Sequence, residues 1–341
     1  MRSLTALPKV HVHAHLDGSY PREAVLALAR RRGVPLDLPV RGGPAATGEG
    51  WSDVWAFFEA YGRVPALVAD LHDLAGLCRA LVAQEAAEGV VYLEPAIEPQ
   101  LYAPRLGSLR EVTRVVVDAL GEAGREHSVE VGSILTLNTD QDEPIAAELA
   151  AVAAEFAGRG VTAFGTAGFE EPSGLQRFTG AAATARAAGL PVVAHAGQTG
   201  GWECVAEAID VLGATRISHG VRSVENPAFV RRLADEGVVL DVAPVSNVAL
   251  GIVPTLAAHP APVLHAAGVG VTLNADDQLW FGRGVSDQYA VAREVWKLSD
   301  TELAALAGHG LRIEGMSPAT RHRLGAGLLD WLERSPAGVP T

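Results

Sequence analysis

Eight short apolar runs, each followed by a segment with helical spacing, limit the folds open to this chain of 341 residues. The runs begin at Lys9 and continue at 89–94, 129–137, 161–165, 191–195, 215–219, 238–242 and 269–273. Helical spacing covers 20–32, 67–88, 109–127, 143–159, 175–188, 202–212, 227–236 and 257–267, then 286–297, 300–312 and 318–333. Pro95 is expected to end the second run, because proline cannot donate to a ladder. Eight strand–helix units predict an α/β chain folded as a (β/α)8 TIM barrel, with extra helices after strand 1 and at the C-terminus. A doubly wound open sheet would normally carry a glycine-rich phosphate loop after its first strand, and there is none. The reading is one domain over 1–334 and a loose tail over 335–341. Between the first two strands, 41–50 is a turn-rich loop, and 51–61 brings Trp55, Phe57 and Phe58. That insertion reads either as a lid over one rim or as an aromatic patch burying itself on neighbouring helices.

Composition narrows the chemistry. A net charge of −13 leaves no basic surplus for phosphates, which argues against nucleic acid. The two cysteines, Cys78 and Cys204, are far apart, which fits a reducing compartment and excludes a cysteine-rich zinc site. The first eight residues contain no apolar h-region. The apolar runs at 238–253 and 261–273 are broken by Asp241, Pro244, Pro254 and His265, so no membrane partner is expected. The expectation is a cytoplasmic protein acting on a small molecule, with no signal for its oligomeric state.

The polar residues at the strand ends carry the argument. His11, His13 and His15 alternate along the first run, and strand geometry predicts that all three share one face. Asp17-Gly18 reads as the turn that leaves it. Glu94, Gly168, His195, His219, Ser246, Asn247, Asp276 and Asp277 stand at or just after later strand ends. A barrel collects such residues at its C-terminal mouth. One strand-end histidine is ordinary; four histidines and two aspartates converge on one pocket, and three His plus one Asp among them is a nitrogen–oxygen ligand set that suits Zn²⁺, one per chain, with Fe or Co as alternatives.

The segments around His13-x-His15-Leu-Asp-Gly-Ser, Gly-Val-Val-Tyr-Leu-Glu, His195-Ala-Gly, Arg-Ile-Ser-His219-Gly, Pro-Val-Ser246-Asn247 and Leu-Asn-Ala-Asp276-Asp277 resemble the adenosine deaminase family of metal-dependent hydrolases, from Leu7 to about Leu332. The resemblance implies that His13, His15, His195 and Asp276 hold zinc and that His219 orients and helps deprotonate its water. It also implies that Gly168 offers a backbone N–H to purine N3, Asp277 binds the N7 edge, and Asp17 contacts the 5′ end of a ribose. The implied reaction is hydrolytic deamination of a 6-aminopurine nucleoside or derivative to the 6-oxo product and ammonia.

The chain departs from that pattern. Gln198 stands where the family has the glutamate that protonates purine N1; an amide can hydrogen-bond the ring but cannot deliver a proton. The family usually has Glu or Asp at His11, Arg at Ala96, Asp at Gly165, and Pro at Trp202 and Gln278. His11 and Ala96 are a candidate coupled exchange, and His11 reads as a barrel-interior histidine one layer below His13. Trp202 is expected beside the pocket. Three readings of Gln198 follow: a deliberate Glu→Gln inactivation of a working deaminase, a divergent member with a changed hydrolytic or lytic reaction, or a non-catalytic nucleoside binder.

Overall fold

The computed structural model describes residues 1–39, 54–171 and 173–334. The loop reading of 41–50, Trp51 and the tail 335–341 lie outside the described residues. Strands β1 (Lys9–His11), β2 (Val90–Leu93), β3 (Ala96–Ile97), β4 (Glu130–Val131), β5 (Ile134–Asn138), β6 (Ala163–Ala167), β7 (Val192–Ala196), β8 (Ala214–His219), β9 (Val239–Val242) and β10 (Gly270–Leu273) pair only in parallel. Parallel pairing demands crossovers, and helices supply them along the chain. Covered on both faces, the strands read as apolar runs rather than as an alternation.

Two ladders make one closed ring. One runs β1-β2-β4 and the other β10-β9-β8-β7-β6-β5-β3. Bridges between Ala14 and Asp276 and between His15 and Ala96 join them, so eight strand positions close as a TIM barrel. The expected end of the second strand at Pro95 is corrected here. Proline removes only a donor: the Pro95 carbonyl accepts from Ile134 N (3.0 Å), and Ala96 N donates to Ala14 O (2.8 Å), so pairing resumes in β3. The third position is likewise split, at Gly132–Ser133, into β4 and β5.

Helix ends follow the local chemistry of the sequence. Ser108 Oγ accepts from Glu111 N, and the Glu111 carboxylate accepts from Ser108 N, which starts Leu109–His127. Asp70 caps Leu71–Ala87 by accepting from Asp73 N. The helix expected over 257–267 is in two pieces, Leu256–Ala258 and Ala261–Ala266. Pro260 breaks it, and His259 turns inward, 3% exposed. Among the described residues no helix is long and apolar enough to cross a membrane.

The first strand corrects the expectation that His11, His13 and His15 share a face. Val12 N and His13 N both donate to Asn274 Oδ1, at 2.8 and 3.1 Å. Consecutive N–H groups of a regular strand point in opposite directions, so this shared acceptor marks a bulge-like break. Side-chain alternation is lost across it. His11 is buried and hydrogen-bonded as expected, but its partner is Glu85 (2.8 Å) on the helix Leu71–Ala87, away from the histidine cluster.

Candidate metal centre and purine cavity

Beyond that break, His13 and His15 reach the barrel mouth. His15 Nε2 lies 3.0 Å from His195 Nε2, and Asp276 Oδ1 lies 3.3 Å from His13 Nε2 and 3.4 Å from His15 Nε2. His13, His15 and Asp276 form one group with converging ligand atoms, and His13, His195 and His219 form another. The ring tautomers are set from behind. His13 Nδ1–H donates to Asp241 O (2.6 Å) and His195 Nδ1–H to Thr166 O (2.8 Å), leaving their Nε2 lone pairs aimed inward. His13 Nε2 is buried with no hydrogen-bond partner among the described residues. A buried acceptor left bare beside a carboxylate and two imidazoles fits a metal ligand and would otherwise be costly.

Charge tells the same story. Burial opposes protonation of His15, but the carboxylates of Asp277, Glu98 and Asp276 outweigh it and push the ring up to about 10. Burial and the neighbouring imidazoles hold His195 and His219 well below the usual histidine range. Burial acts to raise Asp276, yet His13, His219 and His15 keep it well below the usual carboxylate range. Burial and then Asp276 push Asp277 well up. A cluster so charged and so enclosed is what a cation would relieve.

His219 and Asp276 both adopt left-handed backbone, at φ +71° and +60°. Such angles are rare outside glycine, and the surroundings hold them. Asp276 is fixed on several sides: its N–H donates to His13 O (3.0 Å), its carbonyl accepts from Ser19 Oγ (3.0 Å), and its Oδ2 accepts from Ser246 Oγ (2.6 Å). His219 is fixed by a longer chain. Ala261 N–H donates to His259 Nδ1 (3.1 Å), so the His259 proton sits on Nε2 and donates to Asn247 Oδ1 (3.1 Å). The Asn247 amide must then donate to His219 Nδ1 (3.2 Å), leaving the His219 proton on Nε2, 3.9 Å from Asp276 Oδ2. His259 is a residue the strand-end reading missed, because it lies within an apparent helix.

Above this floor is a cavity of about 250 Å³, whose lining includes Gly168, Gln198, His219, Asp277, Glu98 and Asn138. Asp277 Oδ1 is buried there without a hydrogen-bond partner among the described residues. Gly18 makes room for it: a Cβ at Gly18 would collide with the Asp277 carboxylate. The helix Val54–Tyr61 walls the cavity with Phe57, Phe58 and Tyr61 in the lining, while Phe57 also stacks on Phe281 of a neighbouring helix at 5.3 Å between centroids. Trp55 stacks on Phe169 at 4.5 Å between ring centroids. Gln198 stands on a turn whose N–H groups at Gly197, Gln198 and Thr199 all donate to the half-buried Glu170 carboxylate.

Three expected residues are placed differently. Asp17 is buried behind the lining, in the short helix Leu16–Ser19, and its carboxylate accepts from the Tyr102 hydroxyl. It therefore does not reach the cavity to meet a ribose. Trp202 packs against Phe229, 5.4 Å between centroids, rather than beside the cavity. Glu94 is 1% exposed and lies in a buried polar layer with Arg216, which also pairs with Asp241 at 2.6 Å. Glu98, which does line the cavity, went unread because the second strand was expected to end at Pro95. Its carboxylate accepts from Asn138 Nδ2 and Gln100 Nε2, both at 3.3 Å, and lies 3.8 Å from His15 Nδ1.

Comparison with known proteins agrees with this geometry. The adenosine deaminase family model matches residues 8–331. A putative adenosine/adenine deaminase of Streptomyces virginiae is 35% identical over 336 residues, covering 97% of this chain and 98% of that one. An adenine deaminase of Chelativorans sp. (strain BNC1) is 38% identical over 324 residues, covering 94% and 98%. The crystal structure of adenine deaminase from Arthrobacter aurescens superposes with a TM-score of 0.85 at 31% identity, covering 96% of this chain and 99% of that one. On the match of nearly its whole length, with a histidine–aspartate centre at the mouth of a (β/α)8 barrel, the chain belongs to the adenosine deaminase family.

Proposed function

We propose that this protein hydrolytically deaminates a free 6-aminopurine base, adenine or a close analogue, with one zinc ion held by His13, His15, His195 and Asp276. The observation that carries the reading is the pair of overlapping trios on the cavity floor, His13–His15–Asp276 and His13–His195–His219, linked by His15 Nε2 and His195 Nε2 at 3.0 Å. Three nitrogens and one carboxylate suit zinc. Zinc, when bound, supplies Lewis acidity and an activated water.

The chain's own residues do the rest. Asp277, whose Oδ1 is buried without a hydrogen-bond partner among the described residues, meets the N7 edge, and the Gly168 N–H meets N3. N3 and N9 share a ring carbon, so N9 falls beside Asn138, which lies next to Gly168 and donates to Glu98. The Glu98 carboxylate is an acceptor for an N9–H. A ribose on N9 would remove that donor and press on the same residues. The relatives named as adenine deaminases support the base over the nucleoside. His219, neutral with its proton on Nε2, faces the centre as a donor, so it orients an oxygen beside Asp276, and the expected help in deprotonating water is not what this tautomer offers. Gln198 hydrogen-bonds the N1 edge without protonating it.

Gln198 also favours a second reading, a purine binder that turns over slowly or not at all. Ammonia release from adenine and adenosine, assayed beside adenine binding by calorimetry, separates the two. The expected result is release from adenine faster than from adenosine by more than about tenfold, since a site built to accept an N–H rejects analogues lacking it. Adenosine turned over as fast as adenine overturns the base reading. Tight adenine binding with no ammonia selects the binder.

A further inference from the structure

Behind the metal centre, on the far side of β1, lies a buried hydrogen-bond relay that joins two of the positions where this chain departs from the pattern it resembles. Ala275 N–H donates to His11 Nε2 (3.1 Å), which leaves the His11 proton on Nδ1. That N–H donates to Glu85 Oε2 (2.8 Å). The other oxygen, Glu85 Oε1, accepts from Gln278 Nε2 (2.5 Å), and the same amide reaches Ser19 O (3.3 Å). His11, Glu85 and Ser19 are fully buried, and Gln278 is 8% exposed.

The two ends of this relay grip Ala275 and Gln278, the residues that immediately flank Asp276 and Asp277. Ser19, which the relay also touches, donates to the Asp276 carbonyl. The segment between holds a left-handed residue, Asp276 at φ +60°, which the local chain does not favour. Gln278 opens the short helix Gln278–Phe281, a position where proline pre-organises a helix start through its fixed φ. Glutamine gives up that restraint. The bond to Glu85 replaces it only if Glu85 is itself held, and His11 holds it.

We infer that His11, Glu85 and Gln278 act as one clamp that positions the Asp276–Asp277 pair, so that His11 and Gln278 are interdependent positioning residues for the metal ligand and for the carboxyl group facing the purine. The inference rests on the reading of Asp276 as a metal ligand. Neither His11 nor Gln278 touches the cavity's ligand atoms; they act through Ala275, Ser19 and the backbone.

The test uses the full chain and zinc itself. Zinc affinity is measured by chelator competition for the parent, Gln278→Leu, Glu85→Gln and the double variant, with thermal melts of the metal-free proteins alongside. Gln278→Leu removes one arm and leaves Glu85 paired with His11. Glu85→Gln keeps the shape but offers one acceptor to two donors, and leaves no unpaired charge in the double variant. Each single change is expected to weaken zinc binding by about tenfold, the usual size for a residue that orients a ligand. The double variant is expected to lose no more than about what the worse single loses, because the arms act as a unit. Zinc affinities within about twofold of the parent, whatever the melts show, mean a merely structural role and overturn the inference. A double loss equal to the product of the singles overturns the interdependence. If Glu85→Gln does not fold, Gln278→Leu decides alone. A parent that binds zinc tightly and deaminates nothing contradicts the proposed function and leaves the clamp standing.

Discussion

Asn247 donates its amide proton to Nδ1 of His219 across 3.2 Å, and that single bond decides which nitrogen of His219 faces the metal centre with a proton. Asn247→Asp reverses the arrangement: a carboxylate accepts at Nδ1, and the His219 proton moves off Nε2. Turnover of adenine is expected to fall roughly 10²–10⁴-fold with KM little changed, as for loss of an oriented acid–base group. Steady-state kinetics check this. An unchanged kcat would mean that the tautomer of His219 is irrelevant.

His259, at the far end of the same chain, makes stability depend on pH. Burial holds its ring down to about 3, so it is neutral when folded. Unfolded, it titrates near the ordinary histidine value of about 6.5. The unfolded state therefore binds more protons between these limits, and the contribution to stability is present above about 6.5 and lost as pH falls toward 3. His259→Gln keeps an amide donor for Asn247 and removes the titration. Thermal melts from pH 7 to pH 4 are expected to fall less steeply for the variant than for the parent; parallel curves would refute this.

Gln198 sits on a turn already braced by Glu170, so a change of its side chain leaves the backbone where it is. Gln198→Glu is expected to raise adenine deamination by about 10²–10⁴-fold, the usual worth of a positioned acid. The change in ultraviolet absorbance as adenine is consumed reads it out. A variant that loses activity the parent has would show that the amide itself is functional.

Much of this molecule was legible in its residues, for identifiable reasons. Parallel strands covered on both faces must be apolar throughout, so the eight runs stood out, and barrel closure gathers their C-terminal ends without further information. His13, His15, His195, His219 and Asp276 were thus placed by topology alone. What escaped depends on side chains meeting across long stretches of chain. Asn274 accepts two adjacent N–H groups and so turns His11 away from its neighbours, which alternation along β1 cannot reveal. Glu98 was hidden by a proline that removes one donor but does not end pairing. His259 was hidden inside an apparent helix. Asp17 followed the resemblance, and Tyr102, far along the chain, takes its carboxylate.

The most direct test of the whole account is the zinc content and adenine deaminase activity of protein purified without chelator, measured together with Asp276→Asn. The account predicts about one zinc per chain in the parent, ammonia released from adenine in proportion to the zinc bound, and loss of both in the variant, as for a four-ligand site stripped of its carboxylate. Ammonia release that persists in metal-free protein, or a parent that purifies without metal and takes up none, would contradict it.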